Sequence, residues 1–344
     1  MSEQEPLRVG LVGCGNQGGA LAQAILRTDV LRLVACADSD ERALSRVAAL
    51  TGDVARHASL GALLASTAVD AVIIATPHHL LAPLALAAIR AGKHAFVEKP
   101  LALNEAEAKE IEFAAASADV TCMAGYSLRF SMAGYVHDLL AQGVVGEIQA
   151  ITGSFGTAPM DRGWVARPES GGGPLLYVGC HLIDLVLWFV GDAPVTVYAD
   201  VRRRADTGTD ATSAIQLGFA TGALAQFLVT QAAPSTFYEL HILGRSGSIT
   251  LRGRNFLQFE IEVHSNAVRA FNEPTTIRPQ IQRDNISMML VPELQEFAAA
   301  VQEQRLPSIT ASDGRRVLRV LDAVAESGRS GQVVALDLPV LAAY

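Results

Sequence analysis

The sequence predicts a two-part chain: an α/β half built as a doubly wound parallel sheet, then an α+β half dominated by a large antiparallel sheet. Two observations lead there. As far as residue 125, short apolar runs alternate with segments of helical spacing, the pattern of strand-helix-strand units with right-handed crossovers. From residue 148 to about 263 the chain reads instead as extended runs separated by turn pairs such as Thr221-Gly222 and Ser246-Gly247, the pattern of hairpins. At 344 residues there is room for two cores, because single cores stop growing near roughly 250 to 300 residues. The expected domains are 1–125 and 126–344.

Leu7 to Val12 is a run of strand formers closed by Gly13, and Asn16 to Arg27 carries Ala20, Leu21, Ala24 and Ile25 at helical spacing. The turn between them, Gly13-Cys14-Gly15-Asn16-Gln17-Gly18, is G-x-G-x-x-G in the strand-turn-helix context that gives it meaning. Gly13 makes the tight turn, Gly15 lets a pyrophosphate approach the backbone, and Gly18 lets helix and strand pack closely. The phosphates would rest on free N–H groups at the positive end of the helix. The next strand, Leu31 to Ala37, ends in Asp38, placed where an acidic side chain hydrogen-bonds the adenosine ribose. A carboxylate repels a 2′-phosphate, so NAD is favoured, while Ser39 and Arg42 keep NADP open. The other reading of Asp38 is a cap for the helix at Glu41.

Helices are expected over Glu41 to Leu50 and Leu60 to Ala65. Ala71 to Ala75 is apolar throughout, as a strand covered on both faces is, and it ends at Thr76-Pro77-His78-His79, the strand end at which such sheets bind ligands. Leu80 to Ala91 is the next helix, with Pro83 in its first turn. Lys93 to Val97 then delivers Glu98-Lys99-Pro100. Asn104 and Glu107 form a capping box for a helix to Ala116, and Val120 to Gly125 is the sixth strand. A helix over Ala133 to Leu140 opens the second half. Its strands are expected at Ile148–Phe155, Val195–Arg203, Ala214–Phe219, Ala223–Val229, Phe237–Leu243, Gly247–Arg252 and Phe256–Val263, and helices at 292–301 and 312–325 close the chain.

Charge and composition narrow the function. A net charge of -8 and the absence of a dense basic block argue against nucleic acid or an anionic membrane as partner. The run Arg202-Arg203-Arg204, followed by Asp206 and Asp210, reads as a solvated loop face. Cys14, Cys36, Cys122 and Cys180 are scattered with no C-x-x-C pair, so no metal site or disulfide framework is expected. With a polar N-terminus and an apolar stretch at 182–190 too short and polar to span a bilayer, the chain is expected in the cytoplasm.

In order, the glycine turn, Thr76-Pro77, Glu98-Lys99-Pro100, and Gly171-Gly172-Gly173 followed by Gly179-x-His181-x-x-Asp184 make the chain resemble the glucose-fructose oxidoreductase / inositol dehydrogenase (Gfo/Idh/MocA) family. The resemblance runs essentially end to end. It implies a Rossmann domain holding NAD(P), an open-faced antiparallel sheet through which members associate as dimers or tetramers, and catalysis by a lysine and a histidine on a sugar, cyclitol or related polyol. It implies cofactor contacts from Gly13, Gly15, Asn16, Gln17, Gly18, Asp38, Ser39, Thr76, Pro77, His79, Glu98 and Lys99, and substrate contacts from Lys99, Arg129, Trp164, Tyr177, His181 and Asp184.

Two positions depart from the family pattern. Tyr177 stands where the family has an aspartate four residues before the histidine, and Val165 stands where an arginine often follows the tryptophan, a role open to Arg162 or Arg167. Hydride transfer from a carbinol needs a cation beside the developing alkoxide and a base for the proton. Lys99 is the expected cation, His181 the base, and Tyr177 an assisting hydrogen-bond donor. Tyr177, His181 and Asp184, at i, i+4 and i+7, share a face if Leu175 to Val190 is helical, with Asp184 orienting His181 or binding a hydroxyl. The alternatives are an internal His181–Asp184 core pair and, for the whole chain, a cofactor-binding regulator that has lost catalysis or an NAD-recycling glycosidase.

Overall fold

The computed structural model of the chain describes residues 5–52, 54–65, 69–161, 163–254, 258–278 and 286–337. They fall into two compact units, one within residues 1–127 and 285–315 and the other within residues 128–284 and 316–344.

In the first unit β1 (Leu7–Val12), β2 (Leu31–Ala37), β3 (Ala55–His57), β4 (Ala71–Ile74), β5 (His94–Glu98) and β6 (Cys122–Gly125) form a parallel sheet in the order β3-β2-β1-β4-β5-β6. The crossovers are α1 (Asn16–Ile25), α2 (Glu41–Thr51), α3 (Leu60–Leu64), α4 (His78–Arg90) and α5 (Glu105–Ala118). All four residues of β4 are buried, as its unbroken apolar run requires. The strand order reverses between β1 and β4, which puts the glycine turn and Thr76-Pro77 at the switch point, the ligand crevice of an open α/β sheet. Asn104 caps α5 by accepting the Glu107 N–H at 3.0 Å, and the Glu107 carboxylate accepts the Leu103 N–H at 3.0 Å, closing the box one residue earlier than expected. Pro77 occupies the cap of α4, so this helix starts two residues early and Pro83 lies beyond its first turn.

The 126–344 segment is not continuous in space. α8 (Ile286–Gln302) returns to the first unit and packs on α1. Leu290, Leu294, Phe297, Ala298 and Val301 are buried along it at helical spacing, and Phe297 meets Phe96 edge-on with ring centroids 5.8 Å apart. Burying each large side chain contributes about 1.5–3 kcal/mol, enough to hold the helix there. The following Ile309-Thr310 pairs with the edge strand β6.

The second unit contains α6 (Met132–Ala141), α7 (Cys180–Val190) and, from residue 316 on, most of α9 (Ala311–Ser330). Its sheet comprises β7 (Ile148–Gly156), β8 (Pro194–Arg203), β9 (Asp210–Phe219), β10 (Leu224–Thr230), β11 (Phe237–Gly244), β12 (Gly247–Arg254), β13 (Gln258–Ser265), β14 (Thr275–Ile277) and β15 (Val334–Ala335). The order is β14-β13-β12-β11-β7-β10-β9-β8-β15. The expected hairpins are present, but the sheet is mixed: β7 and β10 pair in parallel, from Leu224 opposite Ala150 to Thr230 opposite Gly156. The long insertion containing α7 carries the chain back over the sheet, so β10 arrives in the direction of β7. Phe256, the expected start of β13, lies outside the described residues.

Alternation divides the faces. Ala225, Phe227 and Val229 of β10 are buried, while Leu224, Gln226 and Leu228 point outward. On the buried side Ser327 of α9 accepts the Ala199 N–H at 2.9 Å. The helical stretch Pro168–Val190 is long and apolar enough to pass a membrane-span test, but 78% of its most apolar window is buried within the protein and it carries His181 and Asp184, the features of a core helix.

Candidate active site

The first unit builds a cradle from backbone. Gly13 has φ +91°, and a Cβ there would overlap the Ala75 carbonyl; one on Gly18 would overlap the Gly13 carbonyl. Gly15 faces open space, and no side chain caps α1. The first N–H groups of α1 are thus left for an anion at the positive end of the helix. Asp38 accepts the Cys14 N–H at 2.6 Å and the Asp40 N–H at 2.9 Å, so its carboxylate is fixed against the glycine turn. The cap of α2 is Asp40, which accepts the Arg42 N–H, and not Asp38. Ser39 and His79 are exposed, Pro77 is half-buried, and His78 is 3% exposed. Thr76 Oγ1, at the end of β4, is buried without a hydrogen-bond partner among the described residues. The open glycine, the uncapped helix start and this orphaned hydroxyl fit a bound dinucleotide.

Glu98 joins this cradle to the lysine. Gln17 Nε2 donates to Glu98 Oε1 at 2.6 Å, tying the start of α1 to the end of β5. Burial pushes the Glu98 carboxyl up, and Lys99 and Gln17 oppose that shift. Lys99 follows, half-buried, with a cis bond to Pro100.

The second unit holds the other candidates. A π-helical turn, Leu175–Gly179, runs into α7. This interrupts the uniform α spacing expected between Tyr177 and His181, since a π turn takes more residues per turn. Tyr177 bears on Trp164, ring centroids 6.2 Å apart at 55°. His181 is 5% exposed, with its ring beside that of Phe155. Arg129 grips Asp184 bidentately, Nε–H to Oδ2 at 3.0 Å and Nη2–H to Oδ1 at 2.6 Å, with side-chain exposures of 9% and 1%. The guanidinium also lies 5.1 Å from the centroid of the Trp188 ring, against which His137 stacks. Of the expected site residues, then, the structure couples Arg129 with Asp184, Trp164 with Tyr177, and Gln17 with Glu98. Arg167 is exposed, and Arg162 lies outside the described residues.

Residues 7–126 match the family described as "Oxidoreductase family, NAD-binding Rossmann fold", and residues 134–250 match "GFO/IDH/MocA C-terminal domain". A 1,5-anhydro-D-fructose reductase from Ensifer adhaerens is 30% identical over 278 residues, 78% of this chain and 80% of its own. The chain belongs to the Gfo/Idh/MocA family of oxidoreductases. A D-xylose 1-dehydrogenase (NADP(+)) from Haloferax volcanii is 27% identical over 95% of this chain and 99% of its own. The structure of GenD2 from gentamicin A biosynthesis, in complex with NAD, is 26% identical and covers 98% of each chain with a TM-score of 0.86. Membership makes this Gfo/Idh/MocA protein an NAD(P)-dependent oxidoreductase, and the regulator and glycosidase readings are not favoured.

One residue of this Gfo/Idh/MocA oxidoreductase, packed against the segment that carries Tyr177 and His181, was hidden by its neighbours in sequence. Arg202 and Arg204 do form exposed pairs, with Asp200 and Asp206, as a solvated face should. Asp210 is different: it is 7% exposed and accepts the Leu175 N–H at 2.8 Å. The signal that could have found it is the glycine triplet at 171–173, which leaves space for something to pack against it.

Proposed function

We propose that the enzyme transfers hydride between NAD and the carbinol or carbonyl carbon of a sugar, cyclitol or related polyol. The observation that carries this is the Gln17–Glu98 hydrogen bond, which ties the dinucleotide turn to the strand end bearing Lys99. The bound nicotinamide supplies the hydride acceptor or donor. Lys99 Nζ holds the reacting oxygen and stabilises its developing negative charge. An imidazole nitrogen of His181 takes up or returns the hydroxyl proton. Tyr177 donates a hydrogen bond to a substrate oxygen and, with Trp164, offers aromatic surface to the carbon face of the ring. Asp184, neutralised by Arg129, holds α7 and the first turn of the 127–130 segment in place. NAD is favoured by the Asp38 carboxylate; the relatives named for sugars support the substrate class.

We infer that the enzyme works in the cytoplasm, which its four buried free cysteines suit. It is a homodimer or homotetramer through the outer face of the nine-stranded sheet, where Tyr198, Leu224, Leu228 and Leu243 are exposed.

The test uses a panel of aldoses, anhydro sugars and cyclitols, including D-xylose and 1,5-anhydro-D-fructose, with NAD, NADP and their reduced forms. Turnover of at least one member with NAD is expected, and Lys99→Ala should lower it by about three orders of magnitude or more while NADH binding persists. Undiminished turnover in that variant would sink the assignment of Lys99.

A further inference from the structure

We propose that Asp210 is a positioning residue, whose carboxyl, carried on β9, fixes the first turn of the segment that presents Tyr177 and His181. This rests on the reading of His181 as the proton relay.

The Asp210 side chain lies where the sheet, the glycine triplet and the helical segment converge. One carboxylate oxygen, Oδ2, accepts the N–H of Leu175, the first residue of the π turn, at 2.8 Å. The other, Oδ1, occupies the space that a Cβ on Gly173 would need, and Gly173 has φ +107°, a backbone conformation side chains rarely adopt. Glycine at 173 therefore admits both the turn and the carboxyl. Around this point the chain is fastened from several sides. The Asp210 carbonyl accepts Gln231 Nε2–H at 3.0 Å, and Gln231 Oε1 accepts the Met160 N–H at 3.3 Å. Gly173 N–H bonds the Val165 carbonyl, beside Trp164, and Gly172 N–H bonds the Arg167 carbonyl.

Position follows from this network. Tyr177 N–H bonds back to the Gly173 carbonyl, so the turn that Asp210 starts is the turn that aims the phenol. His181 lies two residues beyond the end of the π turn, and an error in its first N–H bond propagates along the segment. Side chains that orient a reacting group through one intermediate contact are worth about 10- to 100-fold in activity, and a misplacement of ~1 Å costs a similar factor. The N-cap residue itself, Pro174, makes no side-chain hydrogen bond to this segment.

The experiment compares full-length wild type with Asp210→Ala, Asp210→Asn and His181→Ala. Hydrogen–deuterium exchange needs no substrate. Exchange in residues 174–181 should accelerate at least tenfold in Asp210→Ala and return towards wild type in Asp210→Asn, whose amide oxygen still accepts the Leu175 N–H, while peptides of the first unit stay unchanged. Oxidation of D-xylose with NAD, or of whichever panel sugar turns over, should show kcat about 10- to 100-fold lower in Asp210→Ala, with unchanged affinity for NADH and recovery in Asp210→Asn. A lower Tm in Asp210→Ala with wild-type kcat and wild-type exchange at 174–181 makes the residue merely structural and overturns the proposal. If Asp210→Ala does not fold, Asp210→Asn decides: exchange at 174–181 or kcat more than tenfold from wild type overturns it. His181→Ala separates the two readings. Unchanged turnover there removes the relay, whereas a dead His181→Ala beside an unaffected Asp210→Ala removes only this proposal.

Discussion

The Arg129–Asp184 pair is buried on both sides, and its value lies in not being broken. Removing one partner of a buried pair leaves an uncompensated charge, at a cost of about 3–5 kcal/mol. Arg129→Ala should therefore destabilise the protein by about that amount in a denaturant titration. Arg129→Lys should recover only part of it, because an ammonium cannot reproduce the fork that engages both Asp184 oxygens; full recovery would show that charge alone matters. Asp210 behaves in the opposite sense. Burial pushes its carboxyl up to about 6, above the roughly 3.9 of an exposed aspartate, and the Leu175 N–H bond, with a smaller contribution from Arg203, only partly offsets this. The folded protein thus favours the protonated form. Its contribution to stability is fully present below about pH 4 and is lost as pH rises through about 6, a change of about 3 kcal/mol. Asp210→Asn never ionises, so its Tm should gain on wild type as pH rises from 4 to 8. A Tm difference independent of pH would show that the carboxyl is not desolvated.

Among elements, the glycine turn between β1 and α1 carries the clearest demand on sequence. Gly18→Ala places a Cβ in the Gly13 carbonyl, so strand and helix must separate at the point where the pyrophosphate would sit. NADH affinity should fall at least ~100-fold, read by fluorescence titration, whereas Gly19→Ala, with open space around its Cβ, should bind as wild type does. That turn was legible because its information is local: a glycine pattern, an apolar run before it and a 3.6-residue period after it. The same holds for β4, for the Asn104 cap and for the turns at 221–222 and 246–247. What the sequence concealed is set by distant partners. The Arg129–Asp184 pair spans 55 residues and the Asp210–Leu175 bond spans 35. β10 lies parallel to β7 because of where α7 takes the chain, not because of either strand's composition. The apolar stripe of α8 can be read from its period, but nothing local says that it covers α1. The π turn at 175–179 likewise escapes a reading based on regular α spacing.

For the molecule as a whole, the outer face of the nine-stranded sheet leaves several large apolar side chains exposed. Register aligns its outward side chains into rows: Leu224 and Leu243 flank Ala150, Gln226 and His241 flank Thr152, and Leu228 and Glu239 flank Ser154. Beyond Glu239 lies Arg252, paired with Glu239 and Glu260. A face on which exposed leucines are interspersed with polar and charged side chains can cover itself through a two-fold axis, with the leucines desolvated and the charges at the rim. Leu224 at 52% exposure and Leu228 at 40% stand four residues apart on the same face of β10, with Gln226 between them, and leaving both in water forfeits their burial. The double substitution Leu224→Glu with Leu228→Glu would bring carboxylates to this face without touching the inner face of the sheet. Light scattering of the wild type should give two or four times the 36.3 kDa chain mass, and the double variant should shift to the single mass at micromolar concentration. Because the glycine turn and Lys99 lie far from these side chains in sequence, NADH binding by the dissociated variant should be retained. A wild type that is monomeric under the same conditions would refute the interface, and a double variant that stays associated would place it on another surface.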